Sequence, residues 1–264
     1  MSTDRSVRRA RHRLRTRVSE YPGLYLRFAR HKYPGPSPEV ISSQTELVID
    51  GYTRCGTTFA VYALQLSQDR PVRLAHHLHA PAQVIEAARN AIPTLVLIRE
   101  PQGAILSQLA REPGVALPDA LVAYARFYTC LMPYRDRFVI GDFEEVTRDF
   151  GSVIRRLNAR FGTSFGEFAH TEANVQDCLG LMRWRGTLSR TLLGFESGVA
   201  TVDEVRREQE GLAHGATPPG AGEEWIPSTE RGRSKAALQE QWRRADLARS
   251  RERARHTYQM FLAK

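Results

Sequence analysis

Glu46-Leu-Val-Ile-Asp-Gly-Tyr-Thr-Arg-Cys-Gly-Thr-Thr-Phe59 is the stretch on which the reading of this chain turns. Three apolar residues, Leu47 to Ile49, run into a loop holding Gly51 and Gly56, and a helix-compatible run follows from Thr57 to Leu66. Strand, glycine loop and helix in that order form the local context of a phosphate-binding loop. The glycines let backbone N–H groups turn inward, and the helix N-terminus adds unsatisfied donors and the positive end of a dipole. In a nucleotide triphosphatase a lysine follows the second glycine directly and reaches the outer phosphates. Here Thr57 holds that position, and the basic residue, Arg54, lies inside the loop. Such a loop suits a short anionic group better than a triphosphate with magnesium.

Thr94-Leu-Val-Leu-Ile-Arg-Glu-Pro-Gln-Gly-Ala-Ile-Leu-Ser-Gln108 predicts a second apolar strand, stopped by Pro101 and continued as a helix. Arg99 at its end offers a fixed fork of donors to a phosphate, and Ser107 adds a hydroxyl. A surface arginine and a tolerated helix serine are the plainer readings of each alone. Between the two segments, Val72-Arg-Leu-Ala-His-His-Leu-His-Ala-Pro81 carries three histidines, His76, His77 and His79. An imidazole with its reference pKa of about 6.5 can persist as a neutral base near pH 7. Arg137-Phe-Val-Ile-Gly-Asp-Phe-Glu-Glu-Val146 predicts a further strand and a helix running through Phe161. Asp142 at its end is either the magnesium-holding acid of a triphosphatase or an ordinary helix cap.

Gly51 to Phe59 resembles the 5′-phosphosulfate loop of sulfotransferases that use 3′-phosphoadenosine 5′-phosphosulfate (PAPS), which reads roughly Tyr-Pro-Lys/Arg-Ser-Gly-Thr-Thr-Trp. Thr53, Cys55 and Phe59 depart from that pattern. The resemblance implies that Arg54, Cys55, Gly56, Thr57 and Thr58 surround the 5′-phosphate, with Arg54 at the breaking bond and Phe59 offering its ring to adenine. Arg99 and Ser107 match the family's 3′-phosphate motif. The family's catalytic histidine sits in a Thr-His-Leu-Pro-like stretch. His77, followed by Leu78 and at the expected distance from Arg99, takes that place as general base; His79, before Ala-Pro, is its rival. Phe143 occupies the tyrosine position of a Tyr-Glu-Asp-Leu segment. Arg231-Gly232-Arg233 partly matches a late Arg-Lys-Gly segment that closes on the 3′-phosphate, though a charged helix start capped by Ser228 or Thr229 explains it equally well. The resemblance covers residues 46–162 and implies no metal.

The fold expected is therefore α/β, a three-layer sandwich with a parallel sheet in the P-loop-like sulfotransferase architecture. Strands are predicted at 46–50, 72–75, 94–98 and 137–141, with helices near 117–132, 144–161 and 201–213 between and after them. Residues 1–40 read as a basic arm and linker, and residues 41–264 as the catalytic domain with a basic C-terminal helix. The chain of 264 residues carries +9, with +8 in residues 1–34 and +7 in residues 231–264, leaving −6 for the remainder. Basic arms on an acidic body make nucleic acid an unlikely partner. In the first arm Val7, Ala10, Leu14 and Val18 share one helical face, which predicts docking on the body or on a second subunit, with membrane-surface contact as the other reading. Tyr21-Pro-Gly23 is expected to end that helix. Three cysteines without metal-ligand spacing point to reduced thiols. With no apolar span or signal-peptide core in the sequence, a cytoplasmic enzyme is expected, acting on a small-molecule, glycan or lipid hydroxyl. The competing readings are a P-loop kinase or triphosphatase using Thr58 and Asp142, and a non-catalytic anion-binding scaffold working through its arms.

Overall fold

The computed structural model describes residues 2–34, 37–112, 114–185, 190–212 and 238–263, with side chains from residue 6 onward. Four strands, β1 (Leu47–Gly51), β2 (Leu74–His76), β3 (Thr94–Ile98) and β4 (Val139–Asp142), form one all-parallel sheet in the order β2-β1-β3-β4. Every residue of β1 and β3 is buried, the pattern of central parallel strands covered on both faces. Ile49 pairs with His76 on one side and with Leu95 on the other. The chain leaves β1 for β2 at one edge and returns to β3 at β1's other side. That reversal of strand order opens a crevice beyond the carboxyl end of β1, where α/β sheets of this kind bind ligands.

Helices cover both faces. Leu47, Ile49 and Leu74 pack into the larger core, which takes in α3 (Thr57–Leu66), α5 (Pro101–Arg111) and α6 (Leu117–Thr129). The alternate residues Val48 and Ala75 point the other way, into a smaller core with α2 (Pro22–Lys32) and α4 (Pro81–Arg89). A four-stranded parallel α/β sheet is thus observed close to the predicted positions. The single helix expected at 144–161 is two: Asp142 caps α7 (Phe143–Val146) and Asp149 caps α8 (Phe150–Phe161) through side-chain bonds to backbone N–H groups. Beyond these, α9 spans Glu172–Trp184, α10 Arg190–Ser197 and α11 Val202–Leu212, and the C-terminal helix Ala248–Leu262 packs on α6. No helix among the described residues is long and apolar enough to cross a membrane.

The arm differs from its expected form in two respects. α1 (Ser2–Val18) ends before Tyr21-Pro-Gly23 as predicted, but Pro22 then opens a second, unpredicted helix, since proline fits the first turn of a helix. The docking face is also the opposite one. Arg9 and Arg13 both donate to Asp119 of α6, at 3.0 and 2.8 Å, and Glu20 pairs with Arg126. Burial alone would raise the Asp119 pKa, yet the hydrogen bonds from Arg13 and Arg9 outweigh it and hold the carboxyl below its usual value. The polar face of α1 therefore grips the body, while Val7 and Leu14 remain 60% and 64% exposed.

Candidate functional site

Gly51 closes β1 where a side chain would collide with the sheet: a Cβ there would lie 2.2 Å from the Leu97 carbonyl oxygen. The chain then turns through Arg54, in the left-handed region at φ 67°, to Gly56 at φ 92°, which caps α3. Beside Gly56 a Cβ would press on the Phe143 ring at 3.2 Å. Thr57 stands at the start of α3 with its hydroxyl buried and without a hydrogen-bond partner among the described residues. An orphaned hydroxyl at a helix N-terminus, beside unsatisfied N–H groups, fits an anionic group as ligand. Cys55 turns its thiol inward against the Tyr128 hydroxyl at 3.4 Å, and burial pushes its pKa up to about 12. The thiol faces the core, so Cys55 can offer the loop only its backbone. Phe59 is likewise a core residue, edge-on to Phe168, and not a platform at the mouth of the crevice.

The second segment meets the loop. Arg54 donates through Nε to Ser107 Oγ at 3.2 Å, and Arg99 donates to the Arg54 carbonyl at 3.3 Å. The Arg99 guanidinium lies 3.8 Å above the Phe143 ring, so Phe143 holds the arginine by a cation–π contact. Gly103 makes room for it, since a Cβ there would touch Arg99 Nε at 3.0 Å. Burial lowers the Arg99 pKa from its ordinary value, but a guanidinium has ample margin to stay charged near pH 7. Arg54, Thr57, Arg99 and Ser107 are brought together at one end of the sheet. Arg231 lies outside the described residues.

The three histidines take distinct positions. His76 Nε2 faces the Glu196 carbonyl at 3.1 Å, which can only accept, so that nitrogen carries the proton. Its Nδ1 must then accept from His77 Nδ1, 2.6 Å away, which leaves His77 Nε2 to accept from the Thr58 hydroxyl at 3.0 Å. Both ring nitrogens of His77 are therefore committed. Burial, reinforced by His76 and Arg185, holds the His77 pKa well below 6.5, so the relay is neutral. His79 donates from Nδ1 to the Gly51 carbonyl at 2.9 Å, with Asp50 Oδ1 behind it at 3.4 Å. In the neutral imidazole Nδ1 then carries the proton and Nε2 the lone pair. His77 and His79 both sit at positive φ, 60° and 49°, so with Arg54 they supply three of the four non-glycine residues in that region among those described. Such strain clusters where structure serves a site.

A cleft beside the loop is lined by Thr53, His79, Tyr52, Phe127, His12 and Thr16, among others. Tyr52 holds Gln108 at its wall by a 2.5 Å hydrogen bond. His12 presents a buried Nε2 that has no partner among the described residues. Sequence reasoning missed the arm's part in this cleft, and it missed Asp50. That carboxylate is fully buried at the end of β1 and accepts from the Gly51 and His79 backbone N–H groups and from Gln83. Its position at a strand end beside the glycine loop was the available signal.

His76, His77 and Glu196 come within the spacing of a cation site. Their donor atoms are already used, however: the Glu196 carboxylate takes Arg185 Nε at 2.6 Å and the Tyr62 hydroxyl, and the imidazoles bond to each other. A guanidinium on the shared carboxylate opposes a second positive charge there. The pair that a triphosphatase would place around magnesium is similarly engaged. Thr58 serves His77, and Asp142 caps α7 and accepts from the Tyr258 hydroxyl at 2.7 Å. Neither a model of a known protein family nor a curated protein matches the chain.

Proposed function

We propose that this protein is a sulfotransferase of P-loop-like architecture, moving a sulfuryl group from PAPS to an acceptor hydroxyl. The observation that carries the reading is the meeting of Arg54, Arg99 and Ser107 at the glycine loop, whose Thr57 hydroxyl is left orphaned at the N-terminus of α3. Backbone N–H groups of Cys55 to Thr58 and the Thr57 hydroxyl hold the 5′-phosphate, with Thr58 held in place by its bond to His77. Arg99 and Ser107 take the 3′-phosphate, which sets this donor apart from ordinary adenine nucleotides. The Arg54–Ser107 contact gives way on binding, and Arg54 then neutralises charge growing on the bridging oxygen.

The base is His79 rather than His77. His79 lines the cleft beside Thr53 and engages the loop through Nδ1, whereas His77 Nε2 is occupied by Thr58. His79 takes the acceptor's proton as the acceptor oxygen bonds to sulfur and the bond from sulfur to the bridging oxygen breaks; adenosine 3′,5′-bisphosphate leaves. His77 orients Thr58 within the loop. The cleft receives the acceptor.

Incubating the protein with PAPS labelled in its sulfuryl group and a cellular extract should move label into a hydroxyl-bearing product identified by mass spectrometry. Arg54→Ala should abolish that product. Label that stays on nucleotide or appears only as inorganic sulfate, across extracts of varied origin, would contradict the reading.

A further inference from the structure

Five of the nine exposed large apolar side chains among the described residues fall within residues 7–28: Val7, Leu14, Tyr21, Leu24 and Phe28, each about 60% exposed. Val7 and Leu14 stand two turns apart on the outer face of α1, with Arg11 and Arg17 exposed at its flanks. Leu24 and Phe28 stand one turn apart on the outer face of α2, with Arg27 and His31 exposed among them. Arg15 hydrogen-bonds the Tyr25 hydroxyl at 3.1 Å, which links the two helices across the short turn between them. We propose that α1 and α2 form a docking surface for an anionic lipid bilayer.

Charge selects this occupant. Arg11, Arg17, Arg27, Arg30 and Lys32 are exposed on these two helices, so a second copy meeting the same face would bring like charge against like. The other exposed large apolar residues among those described, Val122, Leu193, Val199 and Met260, are scattered and form no matching apolar patch there. An anionic headgroup layer over acyl chains supplies both complements at once, taking the basic flanks at the phosphate level and the leucine and aromatic side chains beneath it. The surface does not depend on what the glycine loop binds.

The test is co-sedimentation of the full chain with vesicles of phosphatidylcholine alone and of phosphatidylcholine with phosphatidylglycerol. Binding is expected to the anionic vesicles, to weaken steeply with added salt, and to be far weaker to phosphatidylcholine. Leu14→Asp with Phe28→Asp should reduce it about tenfold or more. These sites are exposed, so folding should be retained, which circular dichroism checks. Val199→Asp, an exposed apolar site elsewhere, should change nothing. The proposal fails if the native chain stays in solution with anionic vesicles, or if Val199→Asp lowers binding as much as the double variant. It also fails if the lipid-free chain sediments as a dimer that the double variant converts to monomer. Adenosine 3′,5′-bisphosphate binding, measured on the same preparations, reports separately on the nucleotide reading.

Discussion

His79→Asn is expected to slow sulfuryl transfer about 10²–10⁴-fold, the usual contribution of a positioned general base, with nucleotide affinity near native. Asparagine is the informative substitution. It tolerates the left-handed backbone that His79 adopts at φ 49°. Its amide can also donate to the Gly51 carbonyl as Nδ1 does, leaving the loop in place while removing the lone pair. His77→Asn should have a smaller effect, expressed as weaker nucleotide binding through Thr58. Label transferred from PAPS in single turnover, where the chemical step is observed, separates the two. Near-native transfer by His79→Asn with a large loss in His77→Asn would return the role to His77.

Arg185→Met should cost about 3–5 kcal/mol of unfolding free energy, because breaking a buried ion pair leaves one charge without compensation. The stranded group is Glu196, with a side chain only 1% exposed. It anchors α10 to α3 through Tyr62, and its carbonyl accepts from His76, the first member of the histidine relay. Loss of the pair should thus be felt at Thr58 as well as in stability. The double variant Arg185→Met with Glu196→Met should recover most of the loss, since an apolar pair of similar volume is often neutral in such a site. Urea denaturation followed by fluorescence measures both. Unchanged stability in the single variant would show that solvent already screens the pair.

The strands and the loop were legible because continuous apolar runs bounded by glycine and proline carry local information: Leu47–Ile49 and Thr94–Ile98 needed no partner to be recognised. The break between α7 and α8 was legible only in its caps, Asp142 and Asp149, which also fit a loop. The arm was misread because periodicity marks an apolar face without saying what covers it. Arg9 and Arg13 meet Asp119 more than a hundred residues away, and that pairing reversed the docked side. The histidines stay ambiguous in sequence for a related reason. His77 is followed by Leu78, as in the Thr-His-Leu-Pro pattern, whereas His79 has Pro81 two residues on, and Pro81 opens α4. Which nitrogen is bare depends on the Gly51, Glu196 and Thr58 contacts, and only the fold supplies those.

The central claim rests on recognition of the 3′-phosphate, and calorimetric titration without magnesium tests it most directly. Adenosine 3′,5′-bisphosphate and 5′-AMP differ only in that group. The native protein should bind the bisphosphate much more tightly. Arg99→Ala should erase most of the preference, because a charge-assisted hydrogen bond contributes about 1.5–3 kcal/mol. Equal affinity for the two nucleotides in the native protein, or binding only when magnesium is added, would contradict the account.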